Sequence, residues 1–324
     1  MTKMTHFGLP EGARRIAFAS GGVTLRGWLF SAAGSGLHPI VIMAHGWTAV
    51  KEMLLDLYAA EILAAGVSVL AYDHYALGES DGEPRQEIDP IAQLRGYRDA
   101  ITYAESLAHV DTRAIGIWGT SYSGGHVLAV SAIDKRVKCV VAQCPTISGW
   151  RNTLSRFDPE AWSRMIKSFE EDRRARFAAA PPAMTPIIPD MSKTVVDPAR
   201  THFGNNGTAW YVNVEPSRRH AWRNEITLRS LELYAEYEPG EYVDRISPTP
   251  LMMILADRDT ITPTEEALRA FARVNGPKEL VMLPGGHYDL YGDQLAPAAQ
   301  AAAMWFAQHL LKRSTTHVHT GQLS

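Results

Sequence analysis

Gly119-Thr120-Ser121-Tyr122-Ser123-Gly124-Gly125 follows the apolar run Ala114-Ile115-Gly116-Ile117-Trp118 and leads into a helix-like run near His126. An apolar strand-like segment that gives way to small residues and then to a helical pattern describes a strand turning sharply into a helix, a nucleophile elbow. A serine at the tip of such a turn projects its hydroxyl clear of the sheet. The next backbone N–H then points at the oxygen on which charge develops when a carbonyl is attacked. Ser121 is therefore the first candidate for chemistry.

The register rests on size. Strand and helix backbones nearly touch at this turn, so the positions two before and two after the nucleophile must be small. Gly119 and Ser123 meet that demand, although Ser123 occupies a place where glycine is usual. Ser123 as nucleophile would put Ser121 and Gly125 at the flanks, but the turn would then begin two residues further from the strand end. Alone, the stretch also fits an ordinary Gly/Ser-rich connection, and the rest of the chain has to decide.

With 324 residues, 46% hydrophobic and 21% charged, the chain can bury a large core and fits one sizeable α/β domain carrying an insertion. A net charge of -3 without any Lys/Arg-rich run argues against nucleic acid as a partner. Met1 to Glu11 has no apolar stretch of signal or anchor length, so a cytoplasmic protein without membrane attachment is expected. Cys139 and Cys144 lie in one strand-like run at odd spacing, which predicts side chains on opposite faces and hence two buried free thiols. Two cysteines and no His-Glu-x-x-His spacing imply no metal, and no cofactor motif is present.

Strand-like and helix-like segments alternate along the chain. Arg15 to Ser20 and Val23 to Phe30 read as a hairpin around Gly21-Gly22; Ile40 to Ala44, Val67 to Tyr72, Ala114 to Trp118, Val137 to Gln143, Leu251 to Ala256 and Leu280 to Leu283 read as buried strands. Helices are expected at Met53 to Ala65, Pro90 to Leu107, Tyr122 to Ala132, Pro263 to Val274 (proline in its first turn) and Pro297 to Leu311. Short apolar runs between helices predict a mostly parallel sheet covered on both faces. Residues 1–145 and 246–313 form this core. Residues 146–245 break the pattern with prolines (Pro181, Pro182, Pro186, Pro189) and helical patches at Ala161 to Phe177 and Ile226 to Glu236. That span reads as an inserted helical cap, with Trp150, Trp162, Trp210 and Trp222 mostly in the cap's own core and any remainder facing a pocket. Residues 314–324 read as a disordered tail.

A serine hydroxyl attacks at neutral pH only beside a base, and the base needs an orienting carboxylate. Asp259 follows the first strand after the insertion; Asp257 competes, but sits closer to the strand end, where a turn or capping role is common. His287 follows the last strand, behind Gly285-Gly286, in a loop that can bend tightly enough to bring an imidazole over the sheet edge. His74, His109, His126 and His202 have no such placement. His45-Gly46-Trp47 closes the third strand, where a loop can add a second backbone N–H to that of the residue after the nucleophile. Trp47 and Tyr122 are thus the candidate oxyanion donors. His45 itself reads as a loop-shaping hydrogen-bonding residue, and Asp73 with Gly78-Glu79-Ser80-Asp81-Gly82 as turn chemistry.

Together, Gly119 to His126, His45-Gly46-Trp47, Asp259 before Thr262-Pro263, and Gly285-Gly286-His287 resemble the α/β-hydrolase superfamily across nearly the whole chain. Within it the chain resembles the dienelactone-hydrolase-like and X-prolyl-peptidase-like serine hydrolases and the polyketide transferase or thiohydrolase group. The resemblance implies Ser121 as nucleophile, His287 as base and Asp259 as its orienter, in the chain order Ser, Asp, His. The expected activity is cleavage of a carboxylic ester or thioester of a small-molecule acyl substrate through an acyl-enzyme, without cofactor. Acyl transfer or amide or lactone cleavage by the same residues is the alternative, and a non-catalytic ligand-binding module a further one. Fold and triad host many reactions, so the substrate and the assembly state, monomer or homodimer, are left open.

Overall fold

The computed structural model of the chain describes residues 7–188 and 204–311. The expected tail at 314–324 lies outside the described residues, as do Pro189 and His202.

Strands β1 (Ala13–Ser20) and β2 (Val23–Phe30) form the antiparallel hairpin, with Gly21 at φ 55° and Gly22 at φ 86° supplying the left-handed turn. Strand β3 (His38–Ala44), helix α1 (Leu55–Ala64), β4 (Ser68–Tyr72), α2 (Pro90–Glu105), β5 (Val110–Thr120), α3 (Tyr122–Ile133) and β6 (Val137–Gln143) then alternate. Helix α2 begins where it does because the Asp89 carboxylate caps the Ile91 and Ala92 N–H groups and Pro90 fits the first turn.

The chain next leaves the sheet for α4 (Gly149–Leu154), α5 (Pro159–Phe177), a two-residue β7 (Met184–Thr185), α6 (Gly204–Asn213), β8 (Ile226–Thr227) paired with β7, and α7 (Leu228–Ala235). It returns through β9 (Leu251–Ala256), α8 (Thr264–Arg273), β10 (Lys278–Leu283) and α9 (Leu295–Phe306). Pro263 precedes α8 as its N-cap and is not in its first turn, and α9 starts two residues before Pro297 and ends in a π turn at Ala307–Leu311. Helices α4 and α6 escape the sequence pattern. One has six residues, and the other opens Gly-Asn-Asn-Gly, a run of weak helix formers.

The eight-stranded sheet has the order β1-β2-β4-β3-β5-β6-β9-β10, antiparallel at β1–β2 and β2–β4 and parallel from β4 onward. Alternation along β5 splits its side chains between two cores. Ile115 and Ile117 join the cluster under α2, α3 and α8, and Ala114 and Trp118 join the one under α1 and α9. Cys139 and Cys144 are both buried and neither is in a disulfide, but they share one core. Cys144 lies just past β6 with φ 32°, and that left-handed step undoes the alternation that predicted opposite faces.

The parallel strands all point their C-terminal ends to one edge, where the loops after β3, β5, β9 and β10 gather. A close backbone approach lies at the end of β5, where a Cβ added to Gly119 would collide with the Ser123 carbonyl. Because neither backbone can yield, Gly119→Ala should cost about 3 kcal/mol in urea unfolding, an effect at the upper end for a single added methyl. A loss under about 0.5 kcal/mol would show that strand and helix are not wedged together there.

Candidate active site

The turn from β5 to α3 places Ser121 at φ 57°, ψ -115°, a backbone conformation costly for a residue with a side chain. Three hydrogen bonds hold it: Ser121 N–H to Gln143 O at 2.8 Å, and Thr146 N–H and Gly125 N–H to Ser121 O at 2.9 and 3.3 Å. Locked this way, Ser121 Oγ lies 3.0 Å from His287 Nε2. His287 comes from a 3-10 turn after β10 (His287–Tyr291), and its Nδ1 lies 2.7 Å from Asp259 Oδ2. A carboxylate can only accept, so the ring carries its proton on Nδ1 and leaves Nε2 free to accept from Ser121.

Asp259 is itself fixed by three further hydrogen bonds. Its Oδ1 accepts from Ile261 N–H (2.8 Å) and Thr262 N–H (2.9 Å), and Oδ2 lies 2.9 Å from the Thr262 hydroxyl. Burial opposes its ionisation, but His287 and these N–H groups outweigh burial and hold the carboxyl below its ordinary range. Burial likewise opposes a charged His287, yet the adjacent Asp259 carboxylate lifts the imidazolium above the ordinary histidine range. Asp257 is not in this line. It accepts from Gly285 N–H at 2.8 Å and so ties the loop after β9 to the loop that carries His287.

Gly46 lies against Ser121: a Cβ added there would sit 3.0 Å from Ser121 Cβ and 3.5 Å from Oγ. The next residue, Trp47, meets Tyr122 edge-to-face at 4.8 Å. Tyr211 on α6 donates to Trp47 O at 2.8 Å and pairs with the Thr48 hydroxyl at 2.7 Å, so the insertion holds this loop from above. His45 shapes it from within: Nδ1–H donates to Gly46 O at 2.9 Å and Nε2 accepts the His74 N–H at 3.2 Å. Ser123, the residue in glycine's usual place, donates its hydroxyl to His45 O and accepts from His74 Nε2–H at 2.8 Å. Its side chain binds the elbow to the Gly46-Trp47 loop and faces away from reaction.

Beneath that loop lies a group of charges that sequence reading missed. Lys51, wholly buried, places Nζ 2.7 Å from Glu52, 2.7 Å from Asp73 and 2.8 Å from Glu79. Asp73 also accepts from the Lys51 and Glu79 N–H groups, and its carboxyl stays below the ordinary range because Lys51 outweighs burial. Asp73 therefore does more than the turn role expected of it. Glu52, Glu79 and His220 present ligand atoms close enough for a metal, but the Lys51 ammonium already supplies a cation to both carboxylates. Cys144, Asp259 and His287 are equally close, with the Asp259 and His287 atoms bonded to each other. Among the described residues no helix is long and apolar enough to cross a membrane.

Two cavities meet at Ser121 and Trp47. One, about 550 Å³, lies under the insertion and is walled by Arg156, Phe157, Trp162, Met165, Phe169 and Tyr234. The other, about 490 Å³, lies between the Gly46-Trp47 loop, the start of α1 and the His287 turn. Of the four insertion tryptophans, Trp162 and Trp210 each wall a cavity, Trp222 stacks on Tyr211 at 5.2 Å, and Trp150 is half exposed. Trp150, Trp162 and Trp222 do pack on other aromatics of the insertion, Trp162 against Trp150 and Phe169 and Trp222 against Tyr211, whereas Trp210 lies 5.5 Å from both Tyr288 and Tyr291 in the His287 turn.

The α/β-hydrolase fold family model matches residues 39–294. A thiohydrolase of Eupenicillium brefeldianum is 32% identical over 272 residues, covering 83% of this chain and 85% of that protein. The polyketide transferase grgF of a Penicillium species is 31% identical over 277 residues, covering 84% and 88%. The crystal structure of the α/β hydrolase GrgF from Penicillium sp. sh18 superposes with a TM-score of 0.77 at 29% identity, covering 92% of this chain and 99% of that one. With its strand order, its left-handed serine turn and these similarities, the chain belongs to the α/β-hydrolase fold family.

Proposed function

We propose that this protein is a serine hydrolase that cleaves a small-molecule carboxylic ester or thioester, with Ser121 as nucleophile, His287 as general base and then acid, and Asp259 as the orienting carboxylate. The observation that carries the reading is the unbroken line Asp259, His287, Ser121 at 2.7 and 3.0 Å, each member less than a tenth exposed. In the first half-reaction Ser121 Oγ attacks the carbonyl carbon as His287 Nε2 takes its proton. The negative oxygen is met by the backbone N–H groups of Trp47 and Tyr122, and the tetrahedral intermediate collapses as His287 protonates the departing alkoxide or thiolate. Water then repeats the sequence on the acyl-enzyme and frees the acid. Residues 146–245 act as a cap that encloses the acyl group.

The thioester form of the reaction is supported by the thiohydrolase relatives, and a second reading, transfer of the acyl group to an acceptor other than water, by the transferase-named relatives.

Ser121→Ala should lower kcat on an acyl thioester by about 10⁴-fold or more, with an unchanged melting curve. A rate within tenfold of the parent would remove Ser121 from the reaction. A second expectation concerns pH. His287 must be neutral to take the serine proton, so kcat/KM rises as pH climbs through its pKa, which Asp259 holds high. Asp259→Asn removes the cause of that elevation: the rising limb should move to lower pH while kcat falls about 10⁴-fold. A limb that stays in place or moves upward in a pH profile of kcat/KM would contradict the pairing.

A further inference from the structure

The two cavities differ in which part of the reacting line they touch. The cavity under the insertion reaches Ser121 and Thr262, whereas the one behind the Gly46-Trp47 loop reaches Ser121 and His287. Protons enter and leave the substrate through His287 Nε2, so the group that departs with a proton, and any group that arrives bearing one, must lie on the His287 side. The acyl chain is then left to the cavity under the insertion.

The lining on the His287 side is specific about what it accepts. Among the described residues that line it there is no aspartate, glutamate, lysine or arginine, and Met53, Leu55, Tyr58, Trp210, Tyr288 and Tyr291 give it an apolar, largely aromatic wall. Three of its tyrosine hydroxyls are engaged within the protein: Tyr58 donates to Leu290 O, Tyr211 donates to Trp47 O, and Tyr291 pairs with Thr120 Oγ1, which also accepts from Gln143 at 3.2 Å; that of Tyr288 makes no hydrogen bond to a described residue. Trp118, on β5 three residues before Ser121, is wholly buried, lines the same cavity, and its indole N–H has no acceptor. It is the one such polar atom among the described residues that wall this cavity. A buried donor without a partner is costly in an apolar site, and an oxygen supplied by a bound molecule relieves it.

We infer that this second cavity is the subsite for the alcohol or thiol portion of the substrate and for an incoming alcohol acceptor, and that it takes an uncharged, apolar or aromatic molecule with a second oxygen that accepts from Trp118 Nε1–H. The inference rests on the acyl-enzyme reading above. In the transfer step His287 takes the acceptor's hydroxyl proton as its oxygen bonds to the acyl carbon; the bond from that carbon to Ser121 Oγ breaks, and Oγ receives the proton. One ester replaces another, and neither oxidant nor reductant is involved.

The test measures partition of the acyl-enzyme. Butanoyl-N-acetylcysteamine thioester serves as donor, and the ratio of butanoate ester to butanoic acid is measured with phenoxyalkanols of two to four methylenes. Each is compared with the phenylalkanol in which CH₂ replaces the ether oxygen, and choline serves as the charged control. The expected result is ester formation with the neutral alcohols and none with choline, and for at least one chain length a preference of about 10-fold for the ether over its CH₂ isostere. In Trp118→Phe that preference should fall to within about twofold of unity. Met53→Trp, which fills the cavity, should lower the ester-to-acid ratio for all the neutral alcohols. Donor consumption with a ratio insensitive to the alcohol, no ether preference in the parent protein, or a preference that survives Trp118→Phe would each overturn the subsite. Failure to consume the donor in any form would overturn the acyl-enzyme reading and this inference with it, so the two failures are distinct.

Discussion

The left-handed backbone at Ser121 is the constraint on which the other parts depend. Holding a serine at φ 57° costs on the order of 1–3 kcal/mol, and that cost is met by what surrounds it. Strand β6 accepts the Ser121 N–H through Gln143, and the segment after β6 returns Thr146 N–H to the Ser121 carbonyl. Parallel neighbours on both sides of β5 make this possible, since only a fully paired interior strand ends in such a fixed frame. The same turn brings Ser123 back under β3, where its hydroxyl binds the His45 carbonyl. One local strain therefore fixes both the serine hydroxyl and the loop that faces it.

Four buried histidines close to this turn show how surroundings divide a single residue type. His45, His74 and His126 are pushed below their ordinary range, chiefly by burial; His126 falls to about 3. Their hydrogen bonds agree with neutral rings. His45 has one nitrogen donating and one accepting, and His74 keeps Nδ1 unpartnered while Nε2–H is held by Ser123. His45 does face a carboxylate, Asp73 at 3.7 Å, but Lys51 has already neutralised that charge. His287 is as deeply buried, yet meets a carboxylate that among the described residues no cation shares, and its shift is in the opposite direction. The difference is a matter of which charge is already paired, and this separates a structural imidazole from one that can cycle a proton.

That division explains what the sequence could tell. Strands β6 and β9 are legible to the residue because each is a short apolar run bounded by polar or turn residues, and the elbow is legible because its geometry tolerates few side chains. Asp259 and His287 were identifiable by position after a strand. Lys51 was not, because two of its three carboxylates, Asp73 and Glu79, come from the connection after β4 while Lys51 and Glu52 sit in the one after β3, and no periodic pattern links the two. Thr262 was read only as part of the approach to a helix, whereas its backbone and hydroxyl both hold Asp259. The helical character of the insertion is legible in α5 and α7, but that Trp162 on α5 and Trp210 on α6 each wall a cavity at Ser121 is set by tertiary packing. Tertiary placement of this kind leaves no mark in a window of local sequence.

The depth of the line from Asp259 through His287 to Ser121 bears on how the proposed acyl-enzyme would be resolved. Ser121, Asp259 and His287 expose 9, 6 and 5% of their surfaces, and the rings of Trp47, Tyr234, Trp210 and Tyr288 line the two cavities that lead to them. A low-dielectric enclosure strengthens the pull of backbone N–H groups on a developing oxyanion, since few water dipoles compete with them. The same enclosure lowers the supply of water, which is the acceptor in hydrolysis. Any uncharged molecule that fits beside His287 then competes with a depleted rival. In such a site the choice between hydrolysis and transfer would be decided less by Ser121 than by what occupies the space next to His287.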